Sequence, residues 1–282
     1  MSEAGHDEGG RPAAGSDRRA SPLLVLLGIP IGFASSLLGL GGGIFAGPLL
    51  HYRFGFELRR ATGTALVVVL ATTLSSTLSE LFRQDSALLW DVALALMAGA
   101  LLGARLGFAA SERIPERPLR AVFALLLLAL ALRAFLAHES RAIPGAEIAS
   151  AWTYPWAIAV GFVGGFVSPL LGVGGGLIMV PGLLFIDGLG FDAARAASLA
   201  AGAVAAGRAL LLKSSVRRVS WPHGLWIGAG ATLGGASAVL ALERVPLLHS
   251  AGRVALASLL VLLALRFGFD ALRGARREAN QA

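Results

Sequence analysis

Cysteine is absent from this sequence, which excludes disulfides, thiolate metal sites and cysteine redox chemistry. Lysine occurs once, at Lys213, against 23 arginines. Charge of any kind is scarce: charged residues make up 15% of the chain and hydrophobic ones 56%, with a mean hydropathy of +0.73. A soluble domain of ordinary composition is thereby excluded. No Gly-Lys-Ser/Thr follows any glycine cluster, so no P-loop is present. His51, His223 and His249 sit near segment ends without H-E-x-x-H spacing, so neither a metal nor another cofactor is expected.

What the chain does have is a succession of apolar runs from Ser21 almost to Leu272, broken by short basic or Pro-containing loops. That is the pattern of a multi-pass protein whose first partner is the lipid bilayer. The net charge of +7 and the pI near 11.2 belong to arginines that flank apolar runs, so no nucleic-acid partner is expected. Residues 1–20 are polar and of mixed charge, and they read as a disordered cytoplasmic N-terminal tail; 274–282 read as a cytoplasmic C-terminal tail.

The chain is duplicated. Gly28–Leu50 aligns without a gap on Gly161–Leu183, at an offset of 133 (161 − 28), with 12 identities in 23 positions. The register continues with Arg120 and Arg133, which lie 133 before Arg253 and Arg266, and with Trp90 and Gly103, which lie 131 before Trp221 and Gly234. The first transmembrane repeat spans 21–140, a linker 141–153 and the second repeat 154–273.

Each repeat holds five apolar segments: Ser21–Leu40, Ile44–Phe56, Arg60–Phe82, Leu88–Ala110 and Pro118–Ala137, then Pro155–Val173, Leu177–Phe191, Ala193–Leu212, Trp221–Leu242 and Leu248–Leu272. The second of these, Ile44–Phe56, would cover only about 20 Å as a helix, too short for a hydrocarbon core of about 30 Å. Segments one and two therefore form either a hairpin or one interrupted span. With a hairpin and the N-terminus inside, the basic residues on the inner side fall into triplets: Arg11/Arg18/Arg19, Arg53/Arg59/Arg60, Arg113/Arg117/Arg120, Lys213/Arg217/Arg218 and Arg273/Arg276/Arg277. The outer side keeps Arg83, Arg133/Arg141, Arg195 and Arg244/Arg253. The interrupted span would send two triplets outside, against the positive-inside rule, so the hairpin, or two tightly paired crossings, is preferred.

The expected fold class is accordingly an all-α polytopic membrane protein of two inverted-topology repeats, each with a Gly-rich broken or re-entrant hairpin plus three transmembrane helices. Both termini are expected in the cytoplasm, in the inner (plasma) membrane.

A turn within hydrocarbon leaves backbone groups unpaired unless it lies inside protein or lines a polar cavity. The glycine clusters Gly39, Gly41, Gly42, Gly43 and Gly172, Gly174, Gly175, Gly176, with Pro48 and Pro181 just beyond, are expected to place two such turns at the centre. The amino ends of the short helices that follow, with Ser35, Ser36 and Ser168 one turn upstream, suit an anion. Arg105 and Arg208 lie inside apolar segments; each is a candidate for the same anion or snorkels to the cytoplasmic surface. Glu80, at the outer end of its segment, is expected to reach headgroups, with proton coupling as the other use.

The doubled pattern G-x-x-x-G-x-x-S-x-x-x-G-x-G-G-G-x-x-x-x-P, at Gly28–Pro48 and Gly161–Pro181, resembles the TauE/SafE family of sulfite exporters and related anion transporters. The resemblance covers Ser21 to Leu272 and implies a bacterial-type membrane permease for small anions: sulfite, sulfonates, other sulfur-containing anions or small organic acids. Alternating access around a pocket between the two hairpins is the expected mechanism, and no enzymatic activity is expected. A coupling ion, proton or sodium, and a homo-oligomer are compatible with the sequence, which specifies neither. The alternatives are a drug/metabolite-type carrier with a five-plus-five inverted repeat, whose segments would all be full length, and an intramembrane hydrolase using Ser35 or Ser168, which needs a nearby base.

Overall fold

The computed structural model describes residues 22–83, 86–113, 152–186, 188–214, 218–245, 248, 251–252, 254–263 and 265. Segment Pro118–Ala137, the N-terminal tail, nearly all of the linker and the C-terminal tail lie outside these residues. The first half contains α1 (Leu24–Leu38), α2 (Gly43–Pro48), α3 (Leu58–Leu81) and α4 (Trp90–Arg113). The second contains α5 (Thr153–Leu171), α6 (Gly176–Leu183), α7 (Phe191–Ser214), α8 (Trp221–Arg244) and the shorter α9 (Val254–Leu263). Among the described residues, five helices are long and apolar enough to cross a membrane: α3, α4, α5, α7 and α8. Leu94, Leu101, Leu102, Leu233 and Leu240 point outward, as lipid-facing side chains do.

The two short helices differ from the segments expected for them. α2 stops at Pro48 and passes into a π-helical turn over Leu49–Arg53, because the proline nitrogen has no hydrogen to continue the ladder. α6 ends at Leu183, just after Pro181, and Phe191 opens the next helix instead of closing this one.

Packing is exchanged between the halves. α1 lies along α8, and α5 lies along α4. The seams are made of glycine against backbone: Gly28 on the Ile227 carbonyl and Gly32 on Ala231, matched by Gly161 on the Leu96 carbonyl and Gly165 on Ala100. The partners themselves correspond, Ile227 to Leu96 and Ala231 to Ala100, at the same offset of 131 (227 − 96, 231 − 100) that relates Trp90 to Trp221. Small residues let helix backbones approach this closely in a membrane, where lipid removes the hydrophobic drive between helices. The spacing-by-four glycines are thus packing residues.

The contacts also give direction. Gly28 meets Ile227 and Gly32 meets Ala231 in ascending order, so α1 and α8 are parallel; Gly99 on Ile158 and Gly103 on Phe162 make α4 and α5 parallel. Ser36, near the end of α1, hydrogen-bonds Ser76, near the end of α3. Leu24 at the start of α1 shares an apolar cluster with Phe56 and Ala61 at the start of α3. The chain therefore travels out along α1, returns through α2 and its π turn, and sets out again along α3. α3 and α7 run in opposite directions, since the head of each meets the tail of the other. These two are the centre of the bundle, with 67% of the apolar window of each buried against 44% for α4 and α5 and 50% for α8.

Candidate functional site

Two glycine loops meet between α3 and α7. α1 ends at Gly39 (φ 75°), the chain turns through Gly41 (φ 75°) and Gly42 (φ 90°), and α2 begins at Gly43; the second half repeats this at Gly172 (φ 71°), Gly174 (φ 82°), Gly175 (φ 84°) and Gly176. Three glycines of each loop thus occupy the left-handed region that side chains with a Cβ avoid. The fourth is glycine for another reason. A Cβ on Gly43 would strike the Gly172 carbonyl, and one on Gly176 would strike the Gly39 carbonyl, so each loop closes on the other.

The crossing lies at mid-length of the central helices: Gly41 and Gly174 pack on Val69 of α3, and Gly202 of α7 faces Thr73 and the Gly174 carbonyl. The turns are enclosed by protein, as irregular backbone at membrane depth requires. The residues at the amino caps of α2 and α6, Gly42 and Gly175, have no side chain to cap them.

Ser35, Ser36 and Ser168 are fully buried in the last turns of α1 and α5. Ser36 is bonded to Ser76, whereas Ser35 Oγ and its repeat counterpart Ser168 Oγ have no hydrogen-bond partner among the described residues. Arg105 is exposed on α4 and Arg208 is half-buried on α7; neither joins the buried polar set.

That set contains residues assigned elsewhere by sequence. Arg195, counted in an outer loop, is fully buried one turn into α7, and Glu80, expected at the headgroups, is 1% exposed beside it. Arg195 Nη2 donates to Glu80 Oε2 at 2.9 Å. Arg83 donates to the other oxygen at 3.2 Å and reaches Glu243 at 3.5 Å, while Asp192 lies 3.7 Å from Arg195 Nε. Lys213, counted in an inner loop, is 4% exposed, and its Nζ donates to Thr62 Oγ1 at 2.8 Å. The two pairs are one pair repeated: Thr62 and Arg195 stand at the repeat offset of 133 (195 − 62), as do Glu80 and Lys213 (213 − 80). Polar residues in opposed positions at the repeat offset were the signal available in the sequence. Ser198, one turn beyond Arg195, donates to the Gly39 carbonyl at 3.1 Å and ties α7 to the first loop.

The family model for the sulfite exporter TauE/SafE matches residues 4–134 and 151–282. The chain belongs to the TauE/SafE family. It is similar to the probable membrane transporter protein YunE of Bacillus subtilis, with 29% identity over 185 residues that cover 58% of this chain and 67% of that protein. It is also similar to the probable membrane transporter protein MJ0441 of Methanocaldococcus jannaschii, with 29% identity over 57% of this chain and 60% of the relative. A probable membrane transporter protein of Xylella fastidiosa is 32% identical over 55% of this chain and 59% of the relative. The chain thus matches about three fifths to two thirds of the length of these relatives. No solved structure matches it. As a TauE/SafE protein with five helices able to cross a bilayer among its described residues, it is a multi-pass membrane protein of a transporter family.

Proposed function

We propose that this TauE/SafE protein is a permease for small anions, sulfite and other sulfur-containing or small organic anions, working by alternating access around the crossing of its two glycine loops. The observation that carries the reading is the reciprocal contact of those loops, Gly43 on Gly172 and Gly176 on Gly39, at mid-length of α3 and α7. Backbone amides and the positive ends of short helices at membrane depth suit an anion without an obligatory cation beside it. The hydroxyls of Ser35 and Ser168, buried beside the loops without a hydrogen-bond partner among the described residues, are natural donors to the same ligand. The opposed directions of α3 and α7 support halves inserted upside down relative to one another, the arrangement of many secondary transporters. The distribution of arginines supports cytoplasmic termini, and the likeness to bacterial TauE/SafE proteins supports the inner membrane.

A carrier built only from full-length helices is disfavoured by the short α2, Gly43–Pro48. For a hydrolase, neither Ser35 nor Ser168 has a hydrogen-bonded base among the described residues.

The test is uptake of labelled sulfite, thiosulfate, sulfoacetate and acetate by vesicles containing the purified protein. Saturable flux of at least one anion above that of protein-free vesicles is the expected result. Absence of flux for all four, under proton and sodium gradients of either sign, would overturn the reading.

A further inference from the structure

Among the described residues the two buried Arg or Lys side chains, Arg195 and Lys213, both belong to α7. About five turns of helix separate them on one helical face, with Ser198, Gly202, Ala206 and Ala209 between. Along the axis that is about 27 Å, close to the full thickness of a hydrocarbon core. One cation therefore stands toward each end of the central helix pair. The glycine crossing lies between them on the same face, since Ser198 bonds the Gly39 carbonyl and Gly202 faces the Gly174 carbonyl.

Arg195 is more than the counter-charge of Glu80. Its stem packs on Gly39, its Nη2 is held by Glu80 and its Nε faces Asp192 at 3.7 Å without a hydrogen bond, and Nη1 is buried with no hydrogen-bond partner among the described residues. A buried N–H of a charged group without an acceptor is costly, and a guanidinium fixed along one edge presents the rest of its fork to an oxyanion. We propose that Arg195 and Lys213 are substrate-binding stations for a small oxyanion, one on either side of the glycine crossing. This rests on the anion-permease reading and assigns its cationic contacts to α7's buried face instead of to Arg105 and Arg208. The anion meets Arg195 near one mouth, the loop amides at the centre and Lys213 near the other mouth.

The rival explanation is that Arg195 only neutralises Glu80, and a double variant separates the two. Sulfite flux is measured in vesicles with wild type, Arg195→Gln, Arg195→Lys, Lys213→Gln and Arg195→Gln/Glu80→Gln, the last removing both members of the buried pair. Substrate contact raises the KM for sulfite about tenfold or more in Arg195→Gln and Lys213→Gln. Arg195→Lys keeps part of the affinity, and the double variant, monodisperse in detergent, stays impaired. Wild-type KM in the double variant, or in both single glutamine variants, overturns the assignment while leaving the permease reading intact. A wild type that moves none of the four anions overturns both.

Discussion

Lys213 donates to the hydroxyl of Thr62 across the ends of α7 and α3, and Thr62 is the repeat counterpart of Arg195, which pairs with Glu80, the counterpart of Lys213, at the opposite ends. Duplication has kept two polar clasps in equivalent places while changing their chemistry. One is a hydroxyl and an ammonium; the other is a carboxylate and a guanidinium.

Removing Glu80 leaves the fully buried Arg195 without its closest carboxylate. Glu80→Ala is expected to destabilise the protein by about 3–5 kcal/mol, read as a lowered thermal midpoint in detergent. The pair-free Glu80→Gln/Arg195→Gln is expected to recover a large share of that loss. Equal midpoints for Glu80→Ala and wild type would contradict the burial of the pair.

Glycines of two kinds are expected to respond differently to alanine. At Gly43 and Gly176 a Cβ meets the carbonyl of the opposite loop, so Gly43→Ala and Gly176→Ala should each sharply reduce the yield of monodisperse protein. At Gly55 and Gly188, where φ is 70° and 82° but no atom of the described residues lies within 4 Å of the added carbon, alanine should cost only about 1–2 kcal/mol. Comparing the four by size-exclusion profile and thermal midpoint checks the crossing.

The fold was largely legible in the sequence because apolar length and a gapless internal match are properties of the chain alone. The repeat match singles out Gly28 and Gly32, but their packing partners on α8 became visible only in three dimensions, since nothing local says that α1 pairs with the other half. The loop glycines were legible because glycine and proline are poor helix formers in an apolar run. Arg195, Glu80 and Lys213 were not: a charge near the end of an apolar segment looks the same whether it turns to water or toward a neighbouring helix. Only the repeat match of Thr62 to Arg195 and of Glu80 to Lys213 distinguished them.

The exchanged packing can be locked, and the absence of native cysteine makes the background clean. A Cβ at Gly235 of α8 would lie 3.0 Å from Ser36 Oγ of α1, with the Ser76 and Ser75 hydroxyls of α3, at 2.7 and 2.9 Å, turning aside to admit it; the approach is close enough to bring the Cβ atoms of a cysteine pair within a disulfide's reach. Ser36→Cys/Gly235→Cys should therefore oxidise to a bridge that holds the halves together after proteolytic cleavage of the 141–153 linker. Halves that separate on a denaturing gel under oxidising conditions would contradict the α1–α8 seam.

Ser35 and Ser168 are expected to matter for transport more than for stability. Their hydroxyls have no partner to lose among the described residues, so Ser35→Ala and Ser168→Ala should keep the stability or raise it by up to about 1 kcal/mol, read as an unchanged or slightly higher thermal midpoint. The KM of the transported anion should rise in both. An unchanged KM with a lowered midpoint would mark them as structural hydroxyls.

Trans-stimulation tests alternating access around the loop crossing most directly. Vesicles containing the protein are loaded with unlabelled sulfite or left empty, and the initial uptake of labelled sulfite is measured over a range of external concentrations. Saturable uptake that accelerates when the same anion is inside is the expected result, because a site that faces one side at a time returns faster when occupied. Uptake that rises linearly with concentration and ignores the internal anion would contradict the mechanism.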